Sequence, residues 1–141
     1  DILLKTEESG LVHCSSNHKG DKIFLYNCCG CCCKALAFIT KHENPALIAK
    51  SDYYASVDDD TCEGCEPCLD RCQVDAIQIE NDVANVSMEK CIGCGLCVST
   101  CPTESISMYH KQPAELSVIY SDDIELMGAR TKDTNKAFPF Q

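Results

Sequence analysis

The sequence predicts an α+β fold built from two similar halves, each a strand, a cysteine loop, a short helix and a strand, related by a pseudo-two-fold axis. Three observations support this prediction. The cysteine spacing that starts at Cys62 starts again at Cys91, 29 residues later. Each copy is followed by a short run with β-type alternation, 76–79 in the first and 105–108 in the second. Asn81-Asp82 then indicates a hairpin turn after the first run.

Changes in composition divide the sequence into three parts. Residues 1–56 are a cysteine-rich N-terminal extension, residues 57–109 contain the repeat, and residues 110–141 form an irregular C-terminal tail. We expect the tail to run along the surface, with one short helix near residues 122–127.

The N-terminal extension is predicted to contain three elements. A helix ends near Gly10, because glycine readily takes the left-handed conformation of a helix C-cap. A strand is predicted over residues 22–26. A second helix is predicted over residues 34–42 and stops before Pro45, which disfavours helical geometry in the residue ahead of it. Because the chain starts close to the end of a helix, we expect it to be a fragment of a longer protein.

Charge and hydropathy exclude two classes of function. The chain carries 22 acidic and 12 basic residues, which gives a formal net charge of −10. Binding to phosphate backbones requires clustered Lys and Arg, so nucleic acid is not an expected partner. No apolar run approaches the roughly 18 residues that span a bilayer, so no membrane span is expected either.

The cysteine content points to metal binding. Fourteen cysteines in 141 residues indicate either a disulfide scaffold or metal ligation in a reducing compartment. Neighbouring cysteines seldom reach separate disulfide partners without strain, and the chain has such neighbours at 28–29 and 31–33. We therefore expect metal ligation and a cytoplasmic location.

Each repeat has the spacing C-x2-C-x2-C-x3-C, in which three cysteines wrap one metal centre and the fourth reaches another. Over residues 57–109 this spacing resembles that of two-cluster bacterial-type ferredoxins. The resemblance implies a ferredoxin-like dicluster fold with two [4Fe-4S] clusters. Structural zinc is the alternative, but zinc sites pair cysteine knuckles across a longer loop. The implied ligands are Cys62, Cys65, Cys68 and Cys101 for cluster I, and Cys91, Cys94, Cys97 and Cys72 for cluster II.

The first motif departs from the ferredoxin pattern at one position. Pro102 follows Cys101 in the second motif, as in the family, but Gln73 follows Cys72 in the first. Proline at this position ligates nothing, so its loss leaves the ligand set intact. We expect the change to alter hydration beside cluster II.

A second cysteine-rich segment precedes the repeat. Residues 22–57, which contain the runs Asn27–Cys33 and Lys50–Val57, resemble a segment that precedes the dicluster module in longer iron–sulfur proteins of anaerobes. In those proteins the chain ahead often carries further cysteines and another cluster. The run Asn27–Cys33 stands at the predicted start of the helix over residues 34–42, where the helix dipole favours thiolates. A third [4Fe-4S] cluster is predicted here. The best ligand set is Cys28, Cys29 and Cys32, with the fourth ligand from Cys31, from Cys33 or from outside the chain.

The sequence also allows two alternatives to a third cluster. One is a core of small, buried, free thiols, and the other is a redox-active thiol or an unusual catalytic cluster. Cys14 stands apart from the other cysteines and is expected to be a free thiol.

The sequence favours an electron-transfer protein over a catalyst. Two low-potential [4Fe-4S] clusters and a third would serve a ferredoxin-type carrier or an electron-transfer subunit, with the cofactor supplying the chemistry. The alternatives are a domain of a larger iron–sulfur oxidoreductase, with a catalytic or entry centre at Cys28–Cys33, and a redox or iron sensor. The expected partners are redox proteins or subunits of an oxidoreductase complex of anaerobic metabolism.

Overall fold

The structure, a computed structural model, describes residues 1–16, 18–21, 24–42, 51–116, 118–122, 124–125 and 128–129. Short helices alternate with short strands, so the predicted α+β class is confirmed. The elements in chain order are α1 (Ile2–Glu8), β1 (Val12–Ser15), β2 (Leu25–Cys28), α2 (Lys34–His42), β3 (Tyr53–Val57), α3 (Pro67–Arg71), β4 (Ile77–Glu80), β5 (Val83–Val86), α4 (Leu96–Thr100), β6 (Ile106–His110) and a 3-10 helix at Pro113–Glu115.

The described strands form three two-stranded sheets, β1–β2, β3–β6 and β4–β5. Strands β4 and β5 form the predicted hairpin around 81–82, and they pair antiparallel with Ile77 opposite Val86. Strand β3 pairs antiparallel with β6, and Val57 lies opposite Ile106. The β3–β6 sheet therefore joins the two ends of the repeat region. Helices α3 and α4, which lie between these ends in the sequence, pack against each other.

The predictions for the N-terminal extension are largely met. Helix α1 ends at Glu8, and Gly10 has a φ of 78°, the left-handed value expected of the C-cap glycine. Helix α2 has the predicted bounds, 34–42. The strand predicted over 22–26 begins instead at Leu25, where it pairs with β1, and residues 22–23 lie outside the described part. The helix stop before Pro45 also lies outside the described residues, as does much of the tail helix predicted near 122–127.

The chain separates into two compact units. The first comprises Asp1–Cys14 and Tyr26–Ser117 and contains all fourteen cysteines. The second comprises Ser15–Leu25 and Val118–Gln141. Within the second unit His18 and Tyr120 form a parallel bridge, and the N–H of Lys19 donates to the carbonyl of Tyr120 at 2.8 Å. Among the described residues, no helix has both the length and the apolar character needed to cross a bilayer.

The first unit has two apolar cores, and cysteines contribute to both. One core packs α2 against the second cysteine loop through Leu36, Ile39, Ile92 and Leu96, with five half-buried cysteines at its edge. The other is built on the β3–β6 and β4–β5 sheets and includes the buried Cys68 and Cys97 themselves. Burial of apolar side chains and placement of thiols are therefore coupled in this unit.

Candidate metal centres

Helices α3 and α4 present their cysteines in the same way. Each begins after a residue in the left-handed conformation, Glu66 with a φ of 74° and Gly95 with a φ of 80°. Each then buries its second residue, a cysteine. Each ends at a C-cap cysteine with extended geometry, Cys72 or Cys101, so the last cysteine of each motif leaves the helix as the chain straightens.

Two glycines bring the cysteine loops against neighbouring strands. A Cβ at Gly64 would lie 2.5 Å from the carbonyl oxygen of Asp82, in the turn between β4 and β5. A Cβ at Gly93 would collide with the carbonyl oxygen of Tyr53, in β3. Both glycines have a φ between 62° and 65°, which other residues rarely adopt. These positions therefore require glycine for space and for conformation.

The eight cysteines of the repeat lie in two separate groups of four, and each group lines its own cavity. The first three cysteines of one motif share a cavity with the last cysteine of the other. The first cavity is lined by Cys62, Cys65, Cys68 and Cys101. The second is lined by Cys91, Cys94, Cys97 and Cys72.

Charge interactions follow the same grouping. Burial raises the pKa of Cys68, and the neighbouring charges that add to this effect are those of the other three cysteines in its cavity. Burial likewise raises the pKa of Cys97 to about 12, with further contributions from Cys94, Cys91 and Cys72. Four thiols that disfavour one another's charge need a cation to be held together as thiolates, so each cavity suits a positively charged centre.

The spacing of the sulfurs bears on the kind of centre. Four thiolates on one zinc ion lie about 3.8 Å apart, because Zn–S bonds are about 2.3 Å long and tetrahedral. Among the described residues, one set of three ligand atoms from Cys, His, Asp or Glu has all its members within 4.8 Å of one another. This set is Cys29, Cys31 and Cys32, which line neither cavity. Each group of four is therefore too widely spaced for a single zinc ion. It suits a polynuclear centre, in which each thiolate binds a different metal atom.

Backbone N–H groups donate to sulfurs in both cavities. The N–H of Ala84 donates to Cys62 at 3.4 Å, and the N–H of Ala76 donates to Cys72 at 3.2 Å. The N–H of Gly93 donates to Cys91 at 3.4 Å. Such bonds stabilise the negative charge on thiolate sulfur, and in an iron–sulfur site they raise the reduction potential.

Cys101 also has two hydroxyl neighbours that the sequence reasoning missed. The Ser105 hydroxyl lies 3.3 Å from its sulfur and the Thr103 hydroxyl 3.5 Å. Burial opposes ionisation of Cys101, but hydrogen bonds from Ser105 and Thr103 outweigh it and lower the pKa to about 7. The offset of 29 residues could have revealed this difference, because Ala76 and Val74 stand at the matching positions beside Cys72.

The structure divides the cysteines of the N-terminal extension into two sets. An outer set consists of Cys29, Cys31 and Cys32, with 2.8 Å between the first two sulfurs and 3.5 Å between the last two. An inner set joins Cys28 to Cys14 and Cys33, and burial together with these contacts raises the pKa of Cys28 to about 12. Of the three ligands predicted for a third cluster, Cys29 and Cys32 therefore lie together, whereas Cys28 lies in the other set.

Gln73, the residue that replaces the expected proline, connects this segment to the repeat. Its side-chain Oε1 accepts a hydrogen bond from the N–H of Gly30 at 2.6 Å. A Cβ at Gly30 would lie 2.9 Å from the Gln73 carbonyl oxygen, so the two backbones approach as closely as glycine permits. The loop that carries the outer thiols is thus docked on the residue next to Cys72.

Comparison with known proteins agrees with this description of the repeat region. Residues 55–108, or 54 of the 141 residues, match the family model described as 4Fe-4S dicluster domain. No curated protein matches the chain. The family match and the cysteine cavities together support an iron–sulfur, ferredoxin-like electron-transfer module at residues 55–108, with at least one [4Fe-4S] cluster.

Proposed function

We propose that this protein transfers electrons through two [4Fe-4S] clusters, one in each four-cysteine cavity. The observation that carries the proposal is the exchange of the last cysteines. Cys101 lines the cavity of the first motif, and Cys72 lines that of the second. A chain that builds two separate four-thiol cavities in this crossed way can hold two clusters at once, and the contact between α3 and α4 keeps the two sites adjacent.

The residues present fit such clusters. Cys62, Cys65, Cys68 and Cys101 would hold cluster I, and Cys91, Cys94, Cys97 and Cys72 would hold cluster II. Each bound cluster would accept and release one electron. The protein supplies the thiolates, the N–H and O–H donors that stabilise their charge, and an apolar shell that limits water. Ile79, Ala84 and Ile106 line the first cavity, and Val74, Ile77 and Leu96 line the second.

Iron and sulfide analysis of the anaerobically purified protein tests the number of clusters. Two [4Fe-4S] clusters require about eight irons and eight sulfides per chain. About four irons would contradict the two-cluster proposal. The third [4Fe-4S] cluster predicted at Cys28–Cys33 would raise the count to about twelve.

A pair of serine variants tests the crossed ligation. In Cys72→Ser, the paramagnetically shifted Hβ signals of Cys91, Cys94 and Cys97 should change, while those of the other cluster stay close to wild type. Cys101→Ser is the matched control, and it should disturb the signals of Cys62, Cys65 and Cys68 instead. If Cys72→Ser disturbs only the cluster of its own motif, the crossed ligation is wrong.

The same chemistry would serve a mobile carrier or a subunit of a larger oxidoreductase. The exposed residues around the first loop are strongly acidic, which favours a carrier that docks transiently on a basic redox partner. The contrasting possibility is a permanent subunit with a catalytic or entry centre at Cys28–Cys33. Turnover of a purified partner enzyme on addition of the protein in substoichiometric amounts would support the carrier, whereas a fixed one-to-one requirement would support the subunit.

A further inference from the structure

The outer thiols of the N-terminal extension form a compact group that electron transfer through two clusters leaves unexplained. The sulfurs of Cys29, Cys31 and Cys32 all lie within 4.8 Å of one another. The first pair is 2.8 Å apart and the second 3.5 Å. Thiolates that share one tetrahedral ion lie about 3.8 Å apart, so the 3.5 Å pair is close to that value and the 2.8 Å pair must open by about 1 Å to take an ion. Thiolates of a cubane each bind a different iron and lie farther apart. In neither cavity do three sulfurs lie within 4.8 Å of one another.

From this spacing we propose that Cys29, Cys31 and Cys32 bind a single thiophilic metal ion of the Zn²⁺ class, beside cluster II. Soft thiolate ligands select such ions. Three protein ligands leave the fourth tetrahedral position open, which is the arrangement of reactive rather than purely structural zinc sites. Cys31 and Cys32 are exposed, so an ion can enter and an outside ligand, such as water or a free thiol, can take the fourth position.

The loop is held in shape by contacts that do not involve a metal. The N–H of Cys33 donates to the carbonyl of Cys29 at 3.0 Å, and Ala37 donates to the carbonyl of Cys33 at 2.9 Å, so the loop leads into α2 through one helical turn. The 2.6 Å bond from Gly30 to Gln73 fixes the other side of the loop. Outer contacts of this kind orient metal ligands.

The inner thiols serve as an internal comparison. Cys14, Cys28 and Cys33 pack half-buried against the core that contains Leu36 and Ile39. They form no set of three within 4.8 Å, as judged over the described residues. We therefore assign the inner set to packing and the outer set to metal binding. This assignment goes beyond the two-cluster function and does not depend on it.

The test uses the full chain with its iron–sulfur clusters in place, kept anaerobic, with Zn²⁺ added and the excess removed. Zinc and iron are counted on the same sample. We expect about one zinc per chain at unchanged iron, with X-ray absorption showing three sulfur ligands at about 2.3 Å and one lighter ligand. The variant Cys29→Ser/Cys31→Ser/Cys32→Ser should weaken zinc binding by more than about 100-fold. Loss of an outer contact of a metal site alone lowers metal affinity roughly 10- to 100-fold, and this variant removes the ligands themselves.

Two control variants separate metal ligation from a general disturbance of the fold. Cys14→Ala/Cys33→Ala removes inner thiols and should change zinc affinity by less than about threefold. Gln73→Ala removes the acceptor for Gly30 and should weaken zinc binding roughly fivefold through the loop, since one hydrogen bond is worth about 1 kcal/mol. Gln73→Glu keeps an acceptor and should largely restore binding. All of these variants should retain the wild-type iron count.

Several results would overturn the proposal. The first is that the wild-type protein binds no zinc, and the second is that the triple serine variant retains zinc. The third is that mass spectrometry finds a Cys29–Cys31 disulfide in place of bound metal. Loss of about four irons from the triple variant would instead assign these thiols to a third [4Fe-4S] cluster. A low iron count in every variant, with zinc binding intact, would contradict the two-cluster function and leave the zinc site standing.

Discussion

Ser105 is the residue that most clearly distinguishes the two cavities. Its side chain is buried, with 4% of its surface exposed, and its hydroxyl contacts both Cys101 and Thr103. The corresponding residue of the other repeat is Ala76, which offers Cys72 only its backbone N–H. A hydroxyl that donates to a ligand sulfur stabilises the more negative, reduced state of the centre.

Exchange of these two residues should shift the two potentials in opposite directions. We expect Ser105→Ala to lower the potential of cluster I by about 40 mV, because a hydrogen bond of about 1 kcal/mol corresponds to that shift for one electron. Ala76→Ser should raise the potential of cluster II. Redox titration followed by electron paramagnetic resonance measures both. A shift of the wrong cluster, or none, would show that the hydroxyl does not act on the sulfur.

Exposed negative charge around the first motif opposes the effect of the Ser105 hydroxyl on the potential of cluster I. Seven acidic residues in 57–75 are exposed, whereas the matching stretch of the second repeat, 86–104, contains two acids, Glu89 and Glu104. Negative charge near a centre disfavours its reduction, but exposed charges are screened over about 10 Å at 0.1 M salt. The buried hydroxyl contact is not screened in this way, so we expect it to contribute more per group than any single carboxylate. The seven are Asp58, Asp59, Asp60, Glu63, Glu66, Asp70 and Asp75.

At the scale of elements, the starts of α3 and α4 show how one backbone geometry is built with different residues. Gly95 takes its φ of 80° without strain, and a Cβ there would meet only the sulfur of Met108, at 4.0 Å. Glu66 holds nearly the same φ, 74°, with a Cβ present. A non-glycine residue in this conformation costs roughly 1 kcal/mol or more.

The two cap positions should therefore respond oppositely to substitution. Glu66→Gly is expected to raise the free energy of unfolding by up to about 1 kcal/mol, and Gly95→Ala to lower it by a similar amount. Glu66→Ala is the matched control, because it removes the carboxylate but keeps the Cβ, and it should change little. Thermal unfolding followed by circular dichroism should show opposite shifts of Tm, of roughly 4 °C. Equal stability of Glu66→Gly and Glu66→Ala would mean that the cap is not strained.

Elements that depend on local signals were predictable from the sequence. Helix α2 has its predicted bounds, and the 81–82 turn joins two paired strands. Strand ends were less predictable, because a pairing partner determines them. The run predicted at 105–108 becomes Ile106–His110, since β3 reaches it from the opposite end of the repeat region and pairs along its full length.

Contacts between distant segments could not be read from the pattern of residues. The change from proline to Gln73 was visible in the sequence, but its role became clear only when Gly30 was found 2.6 Å from its side chain. The division of the thiols at 28–33 depends on which way each side chain leaves an irregular turn, and no periodicity encodes that direction. The predicted ligand set placed Cys28 with Cys29 and Cys32, but in the structure Cys28 contacts Cys14 and Cys33 instead.

At the scale of the whole molecule, negative charge should govern encounters with redox partners. The formal charge of −10 becomes about −14 when two oxidised clusters with four thiolates each are included. Opposite charge on a partner accelerates association by long-range attraction that salt weakens. The exposed acidic residues near Cys65, itself an exposed cysteine, place much of this charge beside the first cavity.

Electron transfer to a basic c-type cytochrome, used as an artificial acceptor, should slow as salt rises. We expect roughly a tenfold decrease in the bimolecular rate between low and high ionic strength, measured by stopped flow. Asp59→Asn/Glu63→Gln should lower the rate at low salt and flatten its salt dependence. Glu89→Gln/Glu115→Gln makes the same change in net charge outside the first motif and should have a smaller effect. A rate that does not respond to salt would favour a permanent, apolar assembly.

The pairing of β3 with β6 has a consequence for biosynthesis. Tyr53 and His110, which pair with each other, stand at the two ends of this sheet's span of the chain, so the sheet cannot close until the ribosome has delivered both. The same holds for the first cavity, whose last cysteine is Cys101. At about 5–20 residues per second, the thiols of Cys62, Cys65 and Cys68 wait several seconds for their fourth partner. During that interval the nascent chain is most vulnerable to oxidants, and slow decoding between codons 68 and 101 would lengthen it.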